Sequence, residues 1–212
     1  MQEGELFLLQ TRTGKRTPLA ALRIAVEMVQ AGLIEPAQAL RRLEGIDLDA
    51  VRETRRLPEA GAFALARGVG ASVGVVSGRI ALDLGSARSL AAKGGPVILV
   101  RREMSTDDVA GIALAGGVLT AAGGRTAHAA VVARQLGKVC VVGCAGLRIE
   151  SAPRRIRLGE RTLLEGDWVS LDGESGEIWA GKVAVESRPP TALLEAVRGW
   201  ETRKLTPHAA SR

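Results

Sequence analysis

The chain has 212 residues, 46% hydrophobic and 25% charged, ordinary globular proportions that exclude disorder over most of its length. Two Phe, three Trp and no Tyr leave the core to aliphatic side chains and exclude a single-strand nucleic-acid binder built on base stacking. The net charge of +6 is spread thinly. Its densest basic run, Arg154-Arg155-Ile156-Arg157, has Glu150, Glu160, Glu165 and Asp167 around it, so it reads as a solvated face rather than a nucleic-acid groove.

The first ten residues, MQEGELFLLQ, carry acids where a secretory signal needs bases. Residues 5–12 read as a single strand with no nearby partner, as though the chain begins in the middle of something. Thr17-Pro18 is a helix start, with Thr as N-cap and Pro at the first position. Leu19, Leu22, Val26 and Val29 then share a face, and Gly32 ends the helix. Glu35-Pro36 opens a second short helix with Ala37, Leu40 and Leu43 inward. The two form a hairpin, and the polar segment 47–60 reads as a linker.

From 61 to 180 glycines punctuate short Val/Ile/Leu runs. Strands are predicted at Val73–Leu82, Val97–Val100, Val118–Thr120, Val139–Val142, Trp168–Leu171 and Glu177–Trp179. Helices fit at Gly85–Lys93, Thr106–Ala113 and Thr126–Leu136. Interleaved strands and helices give an α/β fold class. Turns at Leu158-Gly159, Glu165-Gly166-Asp167 and Asp172-Gly173 suggest hairpins over 156–180. Pro189-Pro190 opens a last helix over 191–204, followed by a polar tail. The longest uncharged stretch, Val109–Gly124, is sixteen residues with five glycines, too short to span a bilayer. Cys140 and Cys144 lack the partners a zinc site needs. They read as reduced, buried thiols of a cytoplasmic protein, and no metal site is expected.

The chemistry concentrates in Gly116–Gly146. A strand runs into the Gly123-Gly124 turn, a helix follows with Ala129, Val132, Ala133 and Leu136 on its apolar face, and a buried strand comes next. His128 falls in the first turn of that helix. Helix-start N–H groups lack internal partners and carry partial positive charge. They keep an imidazole neutral near pH 7 and favour an anion beside it. The glycines let backbone amides approach a phosphate, Arg125 adds a full charge, and Thr126 offers a cap or a hydroxyl. On spacing alone three readings stand: a structural histidine beside an ordinary turn, an anion site with His128 as donor, or a histidine that accepts a phosphoryl group.

The run GGVLTAAGGRTAHAAVVARQLGKVCVVGC resembles the phosphohistidine signature of the phosphoenolpyruvate-utilising enzymes, Leu/Val-Thr-x-x-Gly-Gly-x-Thr-Ser-His-Ala-Ala. Within that superfamily it looks most like the pyruvate, phosphate dikinases. LFLLQTRTGKRTPLAALRIAVEMVQAGLI, VILVRREMSTDDVAG and LLEGDWVSLDGESGEIWAGK extend the likeness from about residue 5 to about 200. The resemblance implies a three-layer β/β/α swivelling domain over 61–185, preceded by the helical hairpin and linker of 18–60. Residues 1–17 would be the remnant of a nucleotide-binding domain, and 186–212 a C-terminal linker helix and tail. It makes His128 the exposed catalytic phosphoryl acceptor, supported by Gly123, Gly124, Arg125 and Thr126. Thr126 matches a threonine that a regulatory kinase/phosphatase modifies in some dikinases. Gln10 and Arg12 match residues that help with ATP and metal. Mg2+, ATP and phosphoenolpyruvate or pyruvate are implied with partner domains or chains, because no complete nucleotide or pyruvate site fits here.

Ala127 departs from the usual Ser and Arg125 from a common Met. Together with the missing domains, this keeps two other readings open. One is a non-catalytic interaction or regulatory protein that retains the swivel fold; the other is part of a phosphoenolpyruvate synthase-like enzyme. No nucleic acid or membrane partner is expected in any of the three.

Overall fold

Thr17 starts the first helix as its spacing predicts: its hydroxyl accepts from the Ala20 amide at 3.3 Å, and Pro18 opens α1 (Pro18–Gln30). The computed structural model describes residues 16–57 and 63–205. The strand expected at 5–12 lies outside them. α2 (Pro36–Leu43) begins at the expected proline. Leu43 is buried and Leu40 packs against the core as expected, but Ala39 takes the inward place expected of Ala37, which is exposed. Residues 39 and 43 stand four apart on one helical face, and that face meets α1. The last helix, α6 (Thr191–Leu205), folds back onto the hairpin. Leu194 and Val197 share a core with Leu22, Val26, Ala39 and Leu43, so the three helices form one unit.

The 47–60 segment is more than a linker. Residues Glu53–Arg56 form β1, which pairs antiparallel with β13 (Val185–Arg188) from Glu53↔Arg188 to Arg56↔Val185. Alternating charges in both strands hide the pairing from a hydrophobicity pattern. Glu53 is buried and accepts from Arg188 at 3.1 Å, with Arg55 at 3.3 Å. The two chain passages between the helical unit and the rest are thus zipped together.

The main sheet takes eight strands: β2 (Ala66–Arg67), β3 (Val69–Gly70), β4 (Val75–Ala81), β5 (Val97–Arg101), β6 (Gly117–Thr120), β7 (Val139–Val142), β11 (Trp168–Asp172) and β12 (Glu177–Ala180). Their order is β2-β12-β11-β4-β5-β6-β7-β3. The run β4-β5-β6-β7 is parallel. Helices α3 (Leu84–Ala92), α4 (Val109–Leu114) and α5 (His128–Gln135) cover one face. A second sheet of β8 (Leu147–Ser151), β9 (Arg154–Leu158) and β10 (Arg161–Leu164) covers the other.

Strand alternation shows the layering. In β7, Cys140 and Val142 pack toward the helices while Val141 packs toward the small sheet. Ile98, Leu119 and Val141 are fully buried, each contributing roughly 1.5–3 kcal/mol. The three-layer β/β/α expectation therefore holds. Burial pushes the Cys140 thiol up to about 12, so it stays protonated and unreactive. No helix among the described residues is long and apolar enough to cross a membrane.

One expectation gives way to the second sheet. The basic run at 154–157 lies in strand β9, with Arg154 and Arg157 exposed and Ile156 fully buried. Arg154 pairs with Asp83 at 2.6 Å and with Glu165. The Ser86 amide and then Arg154 hold the Asp83 carboxyl below its usual range, and Arg154 does the same for Glu165. The Glu165-Gly166-Asp167 turn is not a hairpin, since it carries the chain from β10 to β11 in the other sheet.

One strip of chain, 66–70, pairs with both edges of the main sheet: β2 with β12, and β3 with β7. It crosses the β11–β12 turn at very close range. The Gly68 amide donates to the Gly176 carbonyl at 2.9 Å. A Cβ on Gly176 would overlap the Gly68 carbonyl.

Candidate functional site

The loop from β6 to α5 leaves the sheet at the carboxyl ends of its parallel strands, the edge where open α/β sheets place ligands. Thr120 closes β6 almost fully buried, and its hydroxyl donates to the Ala122 carbonyl at 2.6 Å. The Ala121 and Ala122 amides donate to the Arg101 and Arg102 carbonyls at 3.2 and 2.9 Å. These bonds fix the loop to the end of β5 before it turns.

Of the two adjacent glycines, Gly123 meets the stricter demand. Its φ is +103°, and a Cβ there would sit 3.0 Å from Ala127 Cβ. Gly143, just after β7, faces it at φ +62°, with room for a Cβ only 2.5 Å from the Gly123 carbonyl. Gly124 lies outside the left-handed region and a Cβ there meets nothing within 4 Å. Gly123→Ala should therefore cost about 1–2 kcal/mol, and Gly124→Ala less than about 0.5 kcal/mol. Urea unfolding of the two variants checks the ranking, and equal losses would count against it.

α5 begins at His128, two residues later than the sequence predicts. Ala127 occupies the N-cap position with no side-chain acceptor, so Thr126 does not cap; it stands exposed in the preceding turn. Val131 is the first amide to find a helical carbonyl, that of Ala127 at 3.0 Å. The His128, Ala129 and Ala130 amides have no acceptor among the described residues. His128 itself is exposed. Ala129, Ala130 and Ala133 anchor the same helix against Val118, Cys140 and Val142. An exposed imidazole thus rides on a rigid element, beside three unclaimed donors and the positive end of the helix dipole.

Arginines bracket the loop. Arg125 Nε donates to the Gly70 carbonyl at 3.0 Å. Arg134, in the last turn of α5, donates to the Arg125 carbonyl at 2.8 Å and the Ala71 carbonyl at 3.0 Å. The structure thus brings Gly123, Gly124, Arg125, Thr126 and His128 into one loop and helix start. Gln10 and Arg12 lie outside the described residues. Among the described residues no three His, Cys, Asp or Glu side chains are grouped to hold a metal.

Sequence reasoning passed over Thr120, Arg134 and Gly143. A polar residue closing the apolar run Val118-Leu119, and a glycine straight after Val139–Val142, were the available signals. Arg134 gave none, because its acceptors lie nine and 63 residues away.

Residues 94–176 match the family model described as PEP-utilising enzyme, mobile domain. The chain is 41% identical over 209 residues to pyruvate, phosphate dikinase 2 of Oryza sativa subsp. japonica, covering 97% of this chain and 24% of that protein. It is 42% identical over 202 residues to the chloroplastic pyruvate, phosphate dikinase of Flaveria pringlei, covering 94% and 21%. With pyruvate, phosphate dikinase 1 of Zea mays, chloroplastic, the identity is 40% over 210 residues, covering 97% and 22%. The chain spans about a quarter or less of the length of these curated relatives. A solved structure of an uncharacterised protein from Pseudomonas syringae pv. tomato covers 94% of this chain and 90% of its own. At 16% identity and a TM-score of 0.27 it has no bearing on the fold.

Proposed function

We propose, on the premise that this chain carries the mobile domain of the PEP-utilising enzymes, that it is the phosphoryl carrier of a pyruvate, phosphate dikinase-like phosphotransferase. The observation that carries the reading is His128: exposed, at the uncapped start of α5, with three backbone amides free beside it. In the first half-reaction an unprotonated ring nitrogen attacks a phosphorus of ATP. The N–P bond forms as the P–O bond to the nucleotide leaving group breaks, and the leaving oxygen keeps the electron pair. The amides and the Arg125 charge stabilise the transferred group. In the second half-reaction the phosphoryl group passes to pyruvate, and the direction reverses from phosphoenolpyruvate. Mg2+, ATP and the pyruvate site belong to the nucleotide-binding and phosphoenolpyruvate-binding domains or chains. Among the described residues no acidic side chains cluster to hold the metal.

Ala127 fits this role. A serine there would use its hydroxyl as a helix cap, worth about 1 kcal/mol, whereas alanine leaves the donors to a bound anion. Carriage between two sites needs motion, and the β1/β13 ribbon is our assignment for the hinge between the helical unit and the layered domain. Gln10 and Arg12 are assigned as remnants of the nucleotide site on their sequence match alone.

The test supplies a nucleotide-binding domain separately, with phosphate-labelled ATP and Mg2+. An acid-labile, base-stable label on His128 is expected. Absence of label, where an intact dikinase is labelled alongside, would instead favour a non-catalytic interaction protein. Thr126 is our assignment for regulatory phosphorylation by a kinase/phosphatase. A charge two residues before His128 repels the incoming phosphoryl group, so Thr126→Asp should lower labelling at least tenfold while Thr126→Val retains it. Equal labelling of both variants would remove Thr126 from regulation.

A further inference from the structure

A cleft of about 640 Å³ lies between the helical unit and the layered domain, and His128 is not among its lining residues. Its volume is in the range of small-molecule sites. Arg16, Arg52, Arg134 and Lys138 line it together with apolar side chains such as Leu19 and Val131, and among the described residues no Asp or Glu does. None of these four cations forms an ion pair among the described residues. Arg52 and Arg134 donate only to backbone carbonyls, which satisfies hydrogen bonds without cancelling charge. Four cationic residues around one concavity, with no carboxylate among its described lining, raise its potential, and low-dielectric walls focus the field. An anion with an apolar body relieves the repulsion and fills the cleft.

We propose that this cleft binds an organic anion of the organic phosphate class, its charged head on Arg16, Arg52 and Lys138 and its body against Leu19 and Val131. The site is distinct from the phosphohistidine loop, and its occupancy is measured without any labelling of His128. Failure of one reading therefore leaves the other standing. Arg134 is excluded as a test position because it also holds the Arg125 carbonyl.

The probe is 8-anilinonaphthalene-1-sulfonate, an anionic head on an apolar body, titrated into the full chain and followed by fluorescence. One saturable site is expected, with inorganic pyrophosphate displacing the dye. The uncharged analogue N-phenyl-1-naphthylamine should bind at least tenfold more weakly. Lys138→Glu and Arg52→Glu should each weaken dye binding tenfold or more, and Arg88→Glu on the exposed face of α3 should not. If Lys138→Glu fails to fold, Arg16→Glu replaces it. Equal binding of charged and uncharged dyes, indifference to both charge reversals, or no saturable binding would each overturn the proposal.

Discussion

His128→Ala is expected to abolish the acid-labile phosphoryl label and leave the fold intact. The side chain is exposed and makes no hydrogen bond among the described residues, so its removal should change stability by less than about 0.5 kcal/mol. For a chain of this size that is a shift of about 1–2 °C in Tm. Covalent carriage has no substitute nucleophile in the loop, since Thr126 is a neutral hydroxyl with no base beside it, and the loss of label should be complete. Calorimetry and labelling on one preparation separate the outcomes. A variant that melts several degrees lower would make the histidine structural, and one that still takes label would place the acceptor elsewhere.

Gly176→Ala is expected to damage the fold more than any change in the loop. Its φ is +78°, and the added Cβ would overlap the Gly68 carbonyl and approach the Gly70 amide to 2.9 Å. Neither neighbour is a side-chain tip that can swing away; both are backbone of the strip that pairs with the two sheet edges. Positive-φ strain contributes about 1–3 kcal/mol and overpacking about 1–3 kcal/mol. A sum of about 2–6 kcal/mol lowers Tm by roughly 5–20 °C. Gly181→Ala is the control. It has a similar φ of +74° with nothing within 4 Å of the new methyl, so it carries the strain alone. Similar Tm values for the two variants would show that the crossing is looser than described.

The parallel strands and their helices were legible because each is a short apolar run closed by glycine. Val139–Val142 has the bounds the sequence predicts, and α3 and α5 lie within two residues of theirs. The β1/β13 ribbon was not legible, since Glu53–Arg56 and Val185–Arg188 are mostly charged and pair across 129 to 135 residues. Nor was β9, where the buried Ile156 and Leu158 sit among arginines held by Asp83, Glu150 and Glu165. The loop around His128 was visible through its glycines and the resemblance that they carry. Its long-range supports were not: Arg134 and Gly143 meet backbone carbonyls of Ala71 and Gly123 that only the assembled domain brings near.

The ribbon has a consequence for how the molecule is put together. Because Arg56 and Val185 are direct partners, the chain departs from the helices and comes back about 5 Å from where it left. The layered region is therefore a guest spliced into a host whose own first and last helices close around one core. A guest with neighbouring ends requires little of its host: it can open or be exchanged with small loop-closure cost. Folding of the excursion, which sets its two ends side by side, removes most of the loop-closure cost of bringing the flanking helices together.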